Sequence, residues 1–178
     1  TGWETEDVRL YDSSPDRSEA FRTTVCRADR HGSVTVSPDV SRLIRDSDLI
    51  VFATVAPAPH VVDASLFAHN PLVLHISLRD LAPGILLESQ NVVDDIEHVM
   101  KANTSPHLAE QQTGNRDFVT GTLADIMSGR RSVDRDRPII FSPFGMGILD
   151  VAVGKWVYDQ ALAAGSDQRV PDFFCETA

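Results

Sequence analysis

The chain has 178 residues, 42% of them hydrophobic, and a formal net charge of −10. That apolar fraction supplies a core and excludes global disorder, and the length suits one domain or a domain with an extension. So acidic a chain repels phosphate backbones and anionic lipid heads, which sets aside nucleic acid and membrane as partners.

The best basic pair, Arg130-Arg131, is followed by Asp134 and Asp136 and reads as a solvated loop. Cys26 and Cys175 lie far apart, with no CxxC pair and no metal-spaced cluster. They fit a reduced, cytoplasmic chain and leave a disulfide between them open. No run approaches the ~20 apolar residues that span a bilayer. The first residues are acidic, carry no signal-peptide core and lack an initiator Met, which raises processing or truncation.

In chain order, short apolar runs alternate with helical stretches. A strand is expected over 8–11, ending at Asp12. Ser14-Pro15 starts a helix to about Arg27. A second strand covers 33–36, and Ser37-Pro38 starts a helix to about Arg45. The apolar run 49–53 reads as a strand buried on both faces. A loop with two prolines follows, Asp63 caps a short helix to Ala68, and 72–76 is another buried strand. Next come a strand over 91–93, a helix over 95–102, a third Ser-Pro start at Ser105-Pro106, a helix over 121–128 and a strand over 139–141. The longest helix spans 146–164 and closes at Gly165; Ile148, Val151, Ala152, Trp156 and Val157 form its expected core stripe.

Strands alternating with helices imply βαβ units in a parallel α/β sheet, whose ligands sit at the carboxyl ends of the strands. Those ends carry Asp12, Thr54 and the stretch Ser77-Leu78-Arg79-Asp80. An acid at Asp12 can accept both hydroxyls of an adenosine ribose and would favour NAD over NADP; taken alone, an Asx turn or helix cap in Asp12-Ser13-Ser14-Pro15 explains the residue better. The Gly-rich phosphate loop that should precede such an acid by about 20 residues is absent. Gly145-Met146-Gly147 is followed by Asp150, an anion unsuited to pyrophosphate, so tight packing at a helix entry is expected there. Asp80 is either a general base or a loop residue paired with Arg79. His75 reads as a satisfied core histidine, and His60 and His107 as loop residues without clear partners. Ser142 lies in a turn without a GxSxG setting, which argues against a serine nucleophile.

The stretch from Leu74 to Asp80, then Pro83-Gly84, resembles the segment His-Ile-Asn-Ala-Val-Gly-Gly-Asp…Pro-Gly-Lys of the ornithine cyclodeaminase/μ-crystallin family. Asn91-Val92-Val93-Asp94-Asp95, Gly121 to Ile126 with Gly129-Arg130, and Phe141 to Asp150 resemble the family's following segments in order. Ser-Leu-Arg-Asp-Leu-Ala-Pro and Phe-Ser-Pro-Phe-Gly-Met-Gly are most similar to its 2,3-diaminopropionate biosynthesis branch.

The resemblance implies a Rossmann-like parallel sheet lacking its first strand and Gly-rich loop. Residues 1–145 would be part of an NAD-binding domain. Residues 146–178 would be a C-terminal helix and tail packed on a missing N-terminal substrate and dimerisation region. It implies NAD as cofactor, a small amino-acid substrate and a homodimer when complete. It places Asp80 on the catalytic aspartate and Thr54 on a cofactor-contacting threonine. Asp12 falls near the ribose acid, and Ser77 and Leu78 fall where backbone approaches the nicotinamide. Pro143 replaces a family serine, a contact that Ser142 would take over, and Ile85 replaces the family lysine.

The implied reaction is oxidation of N-(2-amino-2-carboxyethyl)-L-glutamate with NAD and hydrolysis of the imine. It yields 2-oxoglutarate and 2,3-diaminopropionate, for siderophores or peptide antibiotics. Alternatives are ornithine cyclodeamination, a nucleotide-binding protein like μ-crystallin, and a fragment inactive by itself. Without a central first strand, the strands at 8 and 33 should have no bridge to the strand at 49.

Overall fold

The computed structural model describes residues 5–26, 31–168 and 170. The chain divides into two compact units, 1–144 and 145–178.

The first unit holds two separate parallel sheets. Strand β1 (Thr5–Leu10) pairs with β2 (His31–Val36), Leu10 lying opposite Val36, and α1 (Pro15–Thr24) links them. Five strands form the second sheet in the order β3-β4-β7-β5-β6: β3 (Leu49–Phe52), β4 (Leu72–His75), β5 (Gln90–Val93), β6 (Val119–Thr122) and β7 (Ile139–Ser142). No strand pairing joins the two sheets among the described residues, as expected from the sequence. Arg9 reaches across instead: its Nη1 donates to the Asp46 carbonyl at 2.6 Å, in the turn before β3.

Parallel pairing needs crossover connections, and these are short. They are α2 (Val40–Arg45) between β2 and β3, a 3-10 turn (Ala64–Phe67) between β3 and β4, and α3 (Pro83–Leu87) between β4 and β5. Helices α4 (Ile96–Val99) and α5 (Ser105–Thr113) precede β6, and α6 (Leu123–Met127) precedes β7.

Helices α1 and α5 start at Ser14-Pro15 and Ser105-Pro106 as expected, whereas α2 starts beyond Ser37-Pro38. Ser14 makes no side-chain cap; the Asp12 carboxylate accepts the Ser14 N–H at 2.8 Å. Asp39, not Ser37, caps α2, and the Thr104 hydroxyl caps α5. Asp63 caps the 3-10 turn as expected. The helix expected over 95–102 is a single turn, capped by Asp95 and left at Met100 (ψ 46°), with Ala102 and Asn103 left-handed beyond it. Of the helix expected over 121–128, α6 covers Leu123–Met127; Gly121 and Thr122 instead end β6, and a capping box of Thr122 with Asp125 starts the helix. The α1 helix ends at Thr24, and the sequence reading to Arg27 lies beyond the described residues.

The core lies on one face of the five-stranded sheet. Ile50, Phe52, Val73 and Ile140 pack there with Leu66, Phe67, Leu81, Ile85 and Leu86. Each such side chain removed from water contributes about 1.5–3 kcal/mol. Strands β3 and β4 are not buried on both faces, contrary to expectation: Val51 is 56% and Leu72 38% exposed. Among the described strands β5 alone is buried at every residue. Within it, the Asn91 amide donates to the carbonyls of Leu86, Ser89 and Phe118, tying α3 and the loop before β6 to the sheet.

The second unit is α7 (Gly147–Ala164), closed by Gly165 at φ 65°. The expected core stripe is a correction. Ile148, Val151, Trp156 and Val157 are all more than half exposed, and so are Val153 and Tyr158. The apolar residues lie all round the helix, a pattern found where other protein covers every side. Gly145 has φ 99°, and a Cβ built at Gly145 or at Gly147 meets nothing within 4 Å. Gly145 therefore serves backbone conformation, and the tight packing expected at this helix entry is absent.

Candidate active site at the strand ends

Residue types at the ends of β3, β4 and β7 converge on one carboxylate. Strand β4 delivers His75, its last residue, and the chain then turns through Ser77 to Asp80. The Ile76 and Ser77 N–H groups both donate to the Phe52 carbonyl, which pins this turn to the end of β3. Leu78 sits at φ 73°, unusual for a bulky side chain and costly by about 1–3 kcal/mol. The neighbourhood holds it there: its carbonyl accepts the Ser105 N–H at 2.7 Å. Arg79 is not paired with Asp80. Its guanidinium donates to the carbonyls of Ala102 and Asn103 at 2.7 and 3.0 Å, clamping the turn to the loop before α5.

Asp80 is fully buried, and so is His75. The Thr54 hydroxyl donates to Asp80 Oδ1 and the Ser77 hydroxyl to Oδ2. His75 Nε2 lies 3.2 Å from Oδ2, and its Nδ1 lies 3.3 Å from the hydroxyl of Ser142, itself 1% exposed. The Asp80 N–H also lies 3.1 Å from Nε2. One nitrogen cannot both accept that N–H and donate to the carboxylate. An unprotonated Nε2 would set its lone pair against an anionic oxygen, so the proton is assigned to Nε2, donating to Oδ2, with Nδ1 accepting from Ser142. Burial pushes the Asp80 carboxyl up, but the hydrogen bonds from His75, Ser77 and Thr54 outweigh it and hold it at about 2.

The sequence-predicted residues therefore divide. Thr54 and Ser77 meet at Asp80, and Ser142 joins them through His75. Ser142 is the last residue of β7, not a turn residue, and its hydroxyl is engaged inward. Pro143 follows it, half-buried, and Leu78 contributes backbone to the turn. Asp12 stands at the end of β1 in the other sheet, where its Oδ1 also receives the Ser13 hydroxyl at 3.4 Å, the Asx-turn reading of the sequence.

One residue escaped the sequence reading. His60 Nδ1 lies 3.9 Å from Asp80 Oδ1, and its side chain is 42% exposed. Twenty residues separate the two, and no spacing rule connects them. A parallel bridge between Val61 and Leu81 brings them together, with the His60 and Val61 N–H groups both donating to the Asp80 carbonyl at 3.0 Å.

Among the described residues no group of three or more metal-ligating side chains occurs, and no helix is long and apolar enough to cross a membrane. The Arg130 guanidinium donates to Asp125 at 2.9 Å, so half of the basic pair is already neutralised.

The fold matches solved oxidoreductases. The Δ1-pyrroline-2-carboxylate reductase of Thermococcus litoralis, solved with NADH and L-proline, superposes with a TM-score of 0.84 at 21% identity, over 93% of this chain and 53% of that one. An archaeal alanine dehydrogenase dimer with bound NAD superposes with a TM-score of 0.80 at 25% identity, over 94% and 53%. The Δ1-pyrroline-2-carboxylate reductase of Bacillus cereus is 22% identical over 93% of this chain and 53% of its own length. The fold is thus Rossmann-like, and the chain spans about half the length of the curated relatives it matches. Residues 2–165 match the ornithine cyclodeaminase/mu-crystallin family, and the chain belongs to that family.

Proposed function

We propose that this chain is the nucleotide-binding portion of an NAD-dependent oxidoreductase that acts on a carbon–nitrogen bond of an amino acid. The observation that carries the reading is the buried, ionised Asp80 at the carboxyl end of β4, where ligands of parallel sheets bind. Within the family, the wording Ser77-Leu78-Arg79-Asp80-Leu81-Ala82-Pro83 favours oxidation of N-(2-amino-2-carboxyethyl)-L-glutamate to 2,3-diaminopropionate and 2-oxoglutarate.

The cofactor's fit is partial. Asp12 lies just beyond the end of β1, where an adenosine ribose would lie, and Thr54, Ser77, Leu78, Ser142 and Pro143 cluster at the ends of β3, β4 and β7, on the nicotinamide side. A Gly-rich pyrophosphate loop is not among the residues of this chain. Bound NAD would supply the hydride acceptor.

The chain's own residues supply position and charge. Loss of hydride from a carbon bearing nitrogen leaves positive charge on that nitrogen, and a carboxylate held ionised nearby stabilises it. Thr54, Ser77 and His75 keep Asp80 in that state. A carboxylate at about 2 is a weak base at neutral pH, so electrostatic stabilisation is the role its surroundings favour.

The relatives are about twice as long, and α7 exposes apolar residues on all sides. These facts support the reading that 146–178 packs on polypeptide outside this chain, in a homodimer, and that a further strand lies between β1 and β3.

The test is NADH binding, followed by quenching of Trp3 and Trp156 fluorescence, with assay of 2-oxoglutarate and ammonia. Micromolar binding with 2-oxoglutarate release supports the proposal. Ammonia and proline from ornithine would instead make it a cyclodeaminase. Binding without turnover, unchanged in Asp80→Asn, would make it a binding protein.

A further inference from the structure

We propose that His60 is the proton-transfer group of this site, its Nε2 facing the substrate nitrogen and its Nδ1 backed by the buried Asp80 carboxylate. The inference rests on the functional reading above and assigns the proton that Asp80 is badly placed to carry.

Three observations lead to it. First, Asp80 has no exposed surface, and its oxygens are already engaged by Thr54, Ser77 and His75. A substrate proton has no direct route to it. Second, His60 is the partly exposed titratable side chain that stands next to that carboxylate, at 3.9 Å from Nδ1 to Oδ1. His75, the other imidazole at the carboxylate, is fully buried, with both ring nitrogens engaged. Third, the pair is built rather than incidental. The Asp80 carbonyl takes the N–H groups of both His60 and Val61 at 3.0 Å, and Ala82 N–H donates to the Val61 carbonyl at 2.9 Å. Two segments that carry the two side chains are thus laced together as a short parallel ladder.

The chemistry follows. A secondary amine reaches the enzyme protonated, and hydride cannot leave its carbon until the nitrogen lone pair is free. His60 Nε2 takes the proton; the N–H bond breaks, its electron pair stays on the substrate nitrogen, and the neutral imidazole becomes imidazolium. Asp80, fixed as an anion, faces that new positive charge through Nδ1–H. The arrangement is a carboxylate orienting an imidazole, in which the carboxylate itself is never protonated.

The experiment uses His60→Gln and His60→Gly in the protein, with NAD and N-(2-amino-2-carboxyethyl)-L-glutamate, and reads NADH formation. Both variants should keep the wild-type unfolding midpoint and NADH affinity. Turnover should fall roughly 100-fold or more, the scale of a proton-transfer group, and free imidazole should restore roughly tenfold in His60→Gly alone.

A second reading needs no turnover. Diethyl pyrocarbonate, with mass spectrometry, should acylate His60 and spare His75, and NADH with substrate should protect His60. His60→Gln turning over at the wild-type rate, or His60 untouched by the reagent, overturns the proposal while leaving the dehydrogenase reading intact. A wild-type protein that binds NADH but oxidises no amine overturns that reading and this one with it.

Discussion

Replacing Asp80 by Asn tests whether the fold holds this carboxylate ionised. The side chain keeps its volume but loses its charge, and three donors lose the anion they serve. The carboxyl sits at about 2 in the folded chain, against an ordinary 3.8. That difference corresponds to about 2 kcal/mol of folding free energy. The sign follows from the depressed value: the ionised form is favoured by folding, so the contribution is fully present above 3.8 and is lost as pH falls through about 2. At about pH 3 roughly half of it has gone.

Urea unfolding of wild type and Asp80→Asn at about pH 7, 5 and 3 isolates this group, because the other carboxylates titrate alike in both proteins. The gap should be about 2 kcal/mol near neutrality and shrink to about 1 kcal/mol at about pH 3. A gap that stays constant with pH, or lies below about 0.5 kcal/mol throughout, would refute the idea that Thr54, Ser77 and His75 serve an anion.

Asn91→Ala removes the donor to three carbonyls under β5 and should cost about 2–3 kcal/mol in the same urea assay. Thr122→Ala breaks the capping box of α6 and should cost about 1 kcal/mol, again read from the unfolding midpoint. Phe67→Ala empties a 1%-exposed core position and should cost about 3–5 kcal/mol in thermal or urea unfolding. Gly165→Ala forces a side chain into a left-handed cap and should lower helix content at α7's end, at a cost of about 1 kcal/mol, seen by circular dichroism.

The sequence by itself determined the class of fold, because alternating apolar runs and capped helical stretches have few solutions other than parallel βαβ units. It also placed Thr54, Ser77 and Asp80 at strand ends, since that follows from where each apolar run stops. The family resemblance, rather than local pattern, anticipated the separation of β1 and β2 from the other strands, because it implies a central strand that is not among these residues.

The tertiary structure decided what local pattern does not encode. Gly121 in a strand, not a helix, depends on pairing between β5 and β6, which no neighbouring residue specifies. The exposure of Val51 and of the α7 stripe depends on what covers each face, and apolar periodicity does not report that. The pairing of His60 with Asp80 depends on a bridge between Val61 and Leu81. Tertiary contacts of this kind are chosen by the packing of the whole sheet, so the group that meets Asp80 becomes visible only when the chain is folded.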